Sequence, residues 1–137
     1  MSYEIFLVPI LAMLIVQAIK IILDALNDKS PAKDLARYGG MPSGHAALVG
    51  ALAMKVGMID GFYSSTFAIA LILAFLIVRD ATGLRRHLGK HGEVLNILIK
   101  DDKKFKPRFP KLQDRLGHTP AQVTVGLLIG MAISILI

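Results

Sequence analysis

The sequence predicts an all-α fold, an integral membrane bundle of about four transmembrane helices with one amphipathic helix at the membrane interface. Hydrophobic residues make up 54% of the 137 residues, more than the roughly 45–50% of an ordinary soluble domain. Four apolar segments approach the length of a membrane span, and the basic residues are concentrated in one part of the chain. The absence of cysteine excludes disulfide frameworks, zinc–thiolate sites and cysteine nucleophiles.

The apolar segments predict four helices in a single domain over 1–137, at about residues 4–26, 44–61, 63–80 and 119–137. A transmembrane helix needs about 20 residues, within a range of about 17–25. The second segment is short and contains Lys55, and the third fits if Tyr63 and Arg79 mark its two interfaces. A buried hairpin is the alternative for these two, but a soluble chain of this length could hardly cover four such helices.

The polar stretch between the third and fourth segments predicts an amphipathic helix over 81–100, followed by a basic loop over 101–118. Eleven of the sixteen Lys and Arg residues lie between positions 79 and 118. Because basic loops stay cytoplasmic, this stretch and the first loop, 27–43, should face the cytoplasm and both termini should face outward. The starts of the second and fourth helices then meet at the cytoplasmic face of the cell membrane.

Two segments at this face each place a histidine and a hydroxyl N-cap at the start of a predicted helix. In "MPSGH", Ser43 is a good helix N-cap, Gly44 lets a ligand approach the backbone, and His45 follows in the first turn. In "GHTPAQV", Thr119 is the N-cap and His118 lies just before it. Helix N-termini present free N–H groups and partial positive charge, which suit an anion. An interfacial polar residue without a special role is the alternative for each histidine alone.

Arg85 and Arg86, in "GLRRHLGK", add guanidinium groups that match phosphate oxygens. Together these groups suit phosphoryl transfer, in which one imidazole attacks phosphorus and the other donates a proton to the leaving alkoxide. Water then hydrolyses the phosphohistidine. Arginines, helix N-termini and a lysine would hold the equatorial oxygens, so no metal or other cofactor is expected.

The motifs "GGMPSGHAA" and "RLGHTPAQV" resemble the second and third signature motifs of the type 2 phosphatidic acid phosphatase and vanadium haloperoxidase superfamily. With "DATGLRRHLGKHGEVLN" between them, the chain resembles the small divergent bacterial and plant branch of that superfamily over about residues 10–135. The resemblance implies that His118 is the nucleophile, that His45 is the acid, and that Ser43 and Gly44 bind phosphate.

Two family positions for phosphate ligands differ in this chain. The first family motif, a lysine followed seven residues later by an Arg-Pro pair, is not present as such, and Lys20 is the candidate for the lysine role. The arginine expected six residues before the third-motif histidine is Leu112. Arg115 is nearer to the histidine, and Arg85 or Arg86 could also replace it.

A third difference concerns activation of the nucleophile. The aspartate that the family has four residues after the histidine is Gln122 here. An amide can orient an imidazole by accepting its N–H, but it does not stabilise an imidazolium as a carboxylate does. Asp80, at the end of the third predicted helix, could supply that carboxylate.

The predicted function is a metal-independent lipid phosphate phosphatase at the cytoplasmic membrane interface, acting through a phosphohistidine. Phosphatidylglycerophosphate ranks first as substrate, followed by phosphatidic acid. An undecaprenyl pyrophosphate phosphatase is one alternative, and a catalytically degenerate membrane protein that binds anionic lipid is another. The predicted partners are the lipid substrate and the bilayer, with a homodimer as a further option and no nucleic acid.

Other features carry less weight. His87 and His91 have a metal-compatible i, i+4 spacing, but a solvated helix face is the preferred interpretation. Lys55 is expected to extend toward the outer interface, and the basic loop to touch anionic headgroups. Gly126 and Gly130 form a small-xxx-small pair, which favours close packing within the chain, with dimerisation as the alternative.

Overall fold

The computed structural model of the protein describes residues 3–26, 41–101, 111–114 and 116–137. These residues form helices without any strand: α1 (Glu4–Leu26), α2 (Gly44–Asp60), α3 (Ser65–Thr82), α4 (Leu84–Asp101) and α5 (Pro120–Leu136). Most of both predicted loops, and the candidate phosphate ligand Arg115, lie outside the described residues. The described part of the chain is therefore all-helical, as the sequence predicts.

Local sequence explains where the helices begin and end. α2, α3 and α5 each start at a hydroxyl N-cap, which accepts a backbone N–H of the first turn: Ser43, Ser64 and Thr119. α2 ends at Asp60 and is followed by the capping residue Gly61, whose φ of 96° is readily adopted only by glycine. α3 ends one residue before Gly83, which separates it from α4.

Helix α2 lies at the centre of the bundle, packed against α1, α3 and α5. Its buried residues are mostly alanine, glycine and valine, which let neighbouring backbones approach closely. α1 faces α2 with buried residues spaced four apart: Val8, Ala12, Val16 and Lys20. Since residues at i and i+4 share one helix face, the Lys20 side chain is held inside the bundle and not among lipids.

The closest helix pair is formed by α2 and α5. A Cβ atom on Gly126 would collide with the backbone oxygen of Ser43, and one on Gly130 would lie 2.7 Å from the carbonyl carbon of Ala47. One turn further on, the buried Ser134 hydroxyl donates to the Ala51 carbonyl oxygen at 2.7 Å. The small-xxx-small pair of α5 therefore serves packing within the chain.

The large apolar side chains point away from this core, which reverses the pattern of a soluble protein. Only 28% of the apolar 18-residue stretch within α1 is buried, and only 17% of the corresponding stretch in the segment that begins at Ser65. Both stretches are long and apolar enough to cross a membrane, and α5 is a shorter apolar helix. Small residues inside and large ones outside are typical of a helical bundle in lipid, and the protein is accordingly a membrane protein.

Helix α4 is amphipathic. Four leucines on one side of it are exposed: Leu84, Leu88, Leu95 and Leu98. A second side, which carries Gly89 and Gly92, is buried. The remaining side presents charged residues, as the sequence predicts for an interfacial helix.

Lys55 forms a buried ion pair with the start of α1. Its side chain is only 4% exposed, and its ammonium group lies 3.6 Å from the carboxylate of Glu4 at the start of α1. A buried ammonium group requires a partner of opposite charge, and Glu4 supplies it. Because α1 begins on the side that the sequence predicts to face outward, the extension of Lys55 toward the outer interface stays a prediction, to which the structure adds a counter-ion.

Candidate active site

The N-termini of α2 and α5 are joined directly to each other. The backbone N–H of Ser43 donates to the carbonyl oxygen of Gln122 at 3.3 Å, and Ser43 is fully buried. Around this bond, a small apolar cluster from three helices packs together: Ala46, Ala81 and Val123. The two helix starts that the sequence analysis paired are thus neighbours in the fold.

His118 is held in place by its backbone. Its N–H donates to the carbonyl oxygen of Ala81, near the end of α3, at 2.9 Å. The preceding residue, Gly117, has a φ of 87°, and a Cβ atom there would lie 2.6 Å from the backbone nitrogen of Arg86. Glycine is therefore required for the turn that brings His118 beside the junction of α3 and α4.

Four predicted site residues come together here: the His118 imidazole and three others near it. Burial lowers the pKa of His118, and the nearby His45, Lys20 and Arg85 lower it further. These residues come from four different segments of the chain. The site therefore combines two imidazoles, an ammonium group and a guanidinium group with two helix N-termini, a set that suits an anion.

Asp80 and Arg85 form an ion pair between the carboxylate and the Nε group, and both side chains are about one-third exposed. Both lie close enough to His45 for their charges to act on its imidazole. Asp80 is predicted to serve His118, but in the structure the hydrogen-bonded partner of its carboxylate is Arg85.

Gln122 also has a structural role at the start of α5, which was not predicted. Its side-chain oxygen accepts the backbone N–H of Thr119 at 2.9 Å, while the Thr119 hydroxyl accepts the N–H of Gln122 at 3.3 Å. This is a capping box, and the Thr-x-x-Gln spacing was the signal for it. The oxygen proposed to orient the imidazole thus caps α5, and within the described chain the buried Nδ1 of His118 has no hydrogen-bond partner.

The remaining candidates occupy the edge of the site or lie apart from it. Gly44 faces α1, where a Cβ atom would lie 3.6 Å from Met13 Cγ. The side chain of Arg86 is exposed, and it is the backbone of this residue that contacts Gly117. His87 and His91 are also exposed, and the described residues contain no group of three or more side chains that could hold a metal ion.

Comparison with known proteins agrees with this description. The chain matches the family model described as the divergent PAP2 family over residues 1–133, which include both histidine motifs. It is 38% identical to the uncharacterized membrane protein YuiD of Bacillus subtilis (strain 168), over 72% of this chain and 70% of that protein. No solved structure matches the chain. The protein therefore belongs to the divergent PAP2 family.

Proposed function

We propose that the protein is a metal-independent lipid phosphate phosphatase in which His118 is the nucleophile and His45 the general acid. The observation that carries this proposal is the convergence of both imidazoles with Lys20 and Arg85 at two joined helix N-termini. Membership of a PAP2-related family supports phosphatase chemistry. The positive groups could neutralise the charge of a phosphoryl group without a metal ion.

The proposed reaction has two steps. His118 attacks phosphorus through Nε2, since Nδ1 is buried, and the P–O bond to the lipid alkoxide breaks. His45 gives its proton to that alkoxide. Water then loses a proton to His45 and attacks the phosphohistidine, which releases inorganic phosphate and the free imidazole.

The substrate is proposed from the orientation of the site. The positive charge of the polar stretch favours a cytoplasmic position in the cell membrane, where the protein would meet intermediates of phospholipid synthesis. Phosphatidylglycerophosphate is the first choice and phosphatidic acid the second. Because the chain has no cysteine, a single cysteine in place of Lys104 tests the orientation. Labelling of this cysteine from outside the cell would favour undecaprenyl pyrophosphate as the substrate.

The test of activity is phosphate release from these three lipids by purified protein in detergent with EDTA. We expect release from at least one lipid, inhibition by vanadate, and loss of activity in His118→Ala and His45→Ala. His87→Ala is the matched control, because His87 is an exposed histidine. Activity that survives His118→Ala would refute the mechanism and leave the class intact.

A second candidate function is anionic-lipid binding without hydrolysis. The observation that favours it is the His118 imidazole itself, whose Nδ1 has no partner among the described residues, while the Gln122 oxygen is engaged in the capping box. Retained binding to vesicles that contain phosphatidic acid, with no phosphate release from any of the three lipids, would establish this function and exclude the enzyme.

A further inference from the structure

The segment before His118, in its described residues 112–114 and 116–117, lies on a narrow strip of α4 formed by Gly89, Gly92 and Asn96, which we name the α4 stripe. A Cβ atom on Gly89 would lie 2.9 Å from the carbonyl oxygen of Leu116, and one on Gly92 would lie 2.6 Å from that of Gln113. The backbone of the segment therefore lies directly against the helix, at a distance that only glycine allows.

Asn96 binds the far end of this segment with both halves of its amide. Its Nδ2 donates to the carbonyl oxygen of Leu112 at 2.9 Å, and its Oδ1 accepts the N–H of Leu112 at 2.9 Å. An irregular segment has few backbone partners of its own, so these two bonds fix its position along α4. The side chain that does this lies sixteen residues from its partner in the sequence.

The near end of the segment is fixed by the N–H of His118, which donates to Ala81 at 2.9 Å. The segment is thus held at both ends, by Asn96 at residue 112 and by the end of α3 at residue 118. His118 follows directly at the end of this segment, and the two glycines set the distance between the backbone of the segment and α4.

We propose that the α4 stripe positions the nucleophile, with Asn96 as a positioning residue that acts through the backbone of Leu112. This inference rests on the proposed role of His118. Preorganisation of a nucleophile raises the rate of its attack, and a misplacement of about 1 Å can cost about 100-fold. Leu112 itself is exposed, so water can replace the lost bonds and the fold should survive the loss of Asn96.

The experiment compares Asn96→Ala and Gly92→Ala with the matched control Glu93→Ala, which changes an exposed residue of the same helix. A spin label on Gln113→Cys, an exposed position in a chain without cysteine, reports the mobility of the segment. We expect both stripe variants to mobilise the label and to lower kcat at least about tenfold with KM nearly unchanged. Vanadate should bind more weakly by a similar factor, and the control should match the wild type.

Two results would overturn the proposal: a label that stays immobile in both stripe variants, or a mobile label with unchanged kcat and vanadate affinity. If circular dichroism shows that Asn96→Ala has lost helix content, the result for Gly92→Ala alone tests the proposal, because its added methyl group favours helix. If the wild type releases no phosphate, the proposed function fails. In that case the mobility of the label and the affinity for vanadate still test whether the α4 stripe positions His118.

Discussion

Substitution of Gly130 by alanine tests whether the contact between α2 and α5 holds the two histidines together. The new methyl group would lie 2.7 Å from the carbonyl carbon of Ala47, whereas carbon atoms pack at about 3.5–4.0 Å. The helices must therefore separate by at least about 0.8 Å at this point, since the Ala47 carbonyl oxygen lies closer still. The bond between Ser43 and Gln122, already 3.3 Å long, should break when that separation reaches the N-termini.

Two opposing terms set the change in stability. Overpacking costs about 1–3 kcal/mol, while replacing glycine by alanine within a helix gains about 1 kcal/mol. The net destabilisation should be about 0–2 kcal/mol, which leaves the protein folded. The change in activity should be larger, because a displacement near 1 Å can cost about 100-fold in rate. We expect a loss of at least about tenfold in kcat.

Gly57→Ala is the matched control, since its methyl group would meet the ring of Phe62, a half-exposed side chain that can turn aside. Unfolding in dodecyl sulfate, followed by circular dichroism, measures stability, and phosphate release measures activity. If Gly130→Ala and Gly57→Ala both keep the wild-type rate, the α2–α5 contact does not position the site.

Three further predictions concern other parts of the chain. Thr119→Ala should lower the free energy of unfolding by about 1 kcal/mol through loss of the α5 cap; an unfolding curve like that of the wild type, or no recovery in Thr119→Ser, would contradict this. Burial lowers the pKa of His118, so the acid limb of kcat/KM, where the nucleophile becomes protonated, should lie below about pH 6.5, and Lys20→Met should move that limb to higher pH; an acid limb above pH 7 in the wild type would refute it. Glu4→Gln should destabilise the protein more than Lys55→Met does, because it leaves a buried ammonium group unpaired; thermal unfolding that shows the reverse order would count against the pair.

The sequence predicts those parts of the site that depend on neighbouring residues. Ser43 and Thr119 can be identified as N-caps because a hydroxyl group one residue before an apolar helix can accept a backbone N–H of the first turn of that helix. The exposed leucines of α4 follow from periodicity in the same way.

Other parts of the site depend on contacts between distant residues and could not be predicted. The partners of Lys55 and Asp80 are set by which helices become neighbours, and a single sequence does not specify this. Gln122 shows a different limit, because an imidazole and a helix N-terminus compete for one amide oxygen. The α4 stripe was missed because glycine and asparagine in a polar helix resemble weak helix formers until a second backbone is placed against them.

The packing of α5 against α2 has a consequence for how the protein is made. α5 follows the other four helices in the chain, so it is translated after them, and Gly126 reaches the start of α2 only then. Until it does so, the N-terminus of α2 lacks its partner carbonyl and His118 has not been delivered. Under the proposed function, a nascent chain would therefore stay inactive toward the lipids of its own membrane until α5 has inserted.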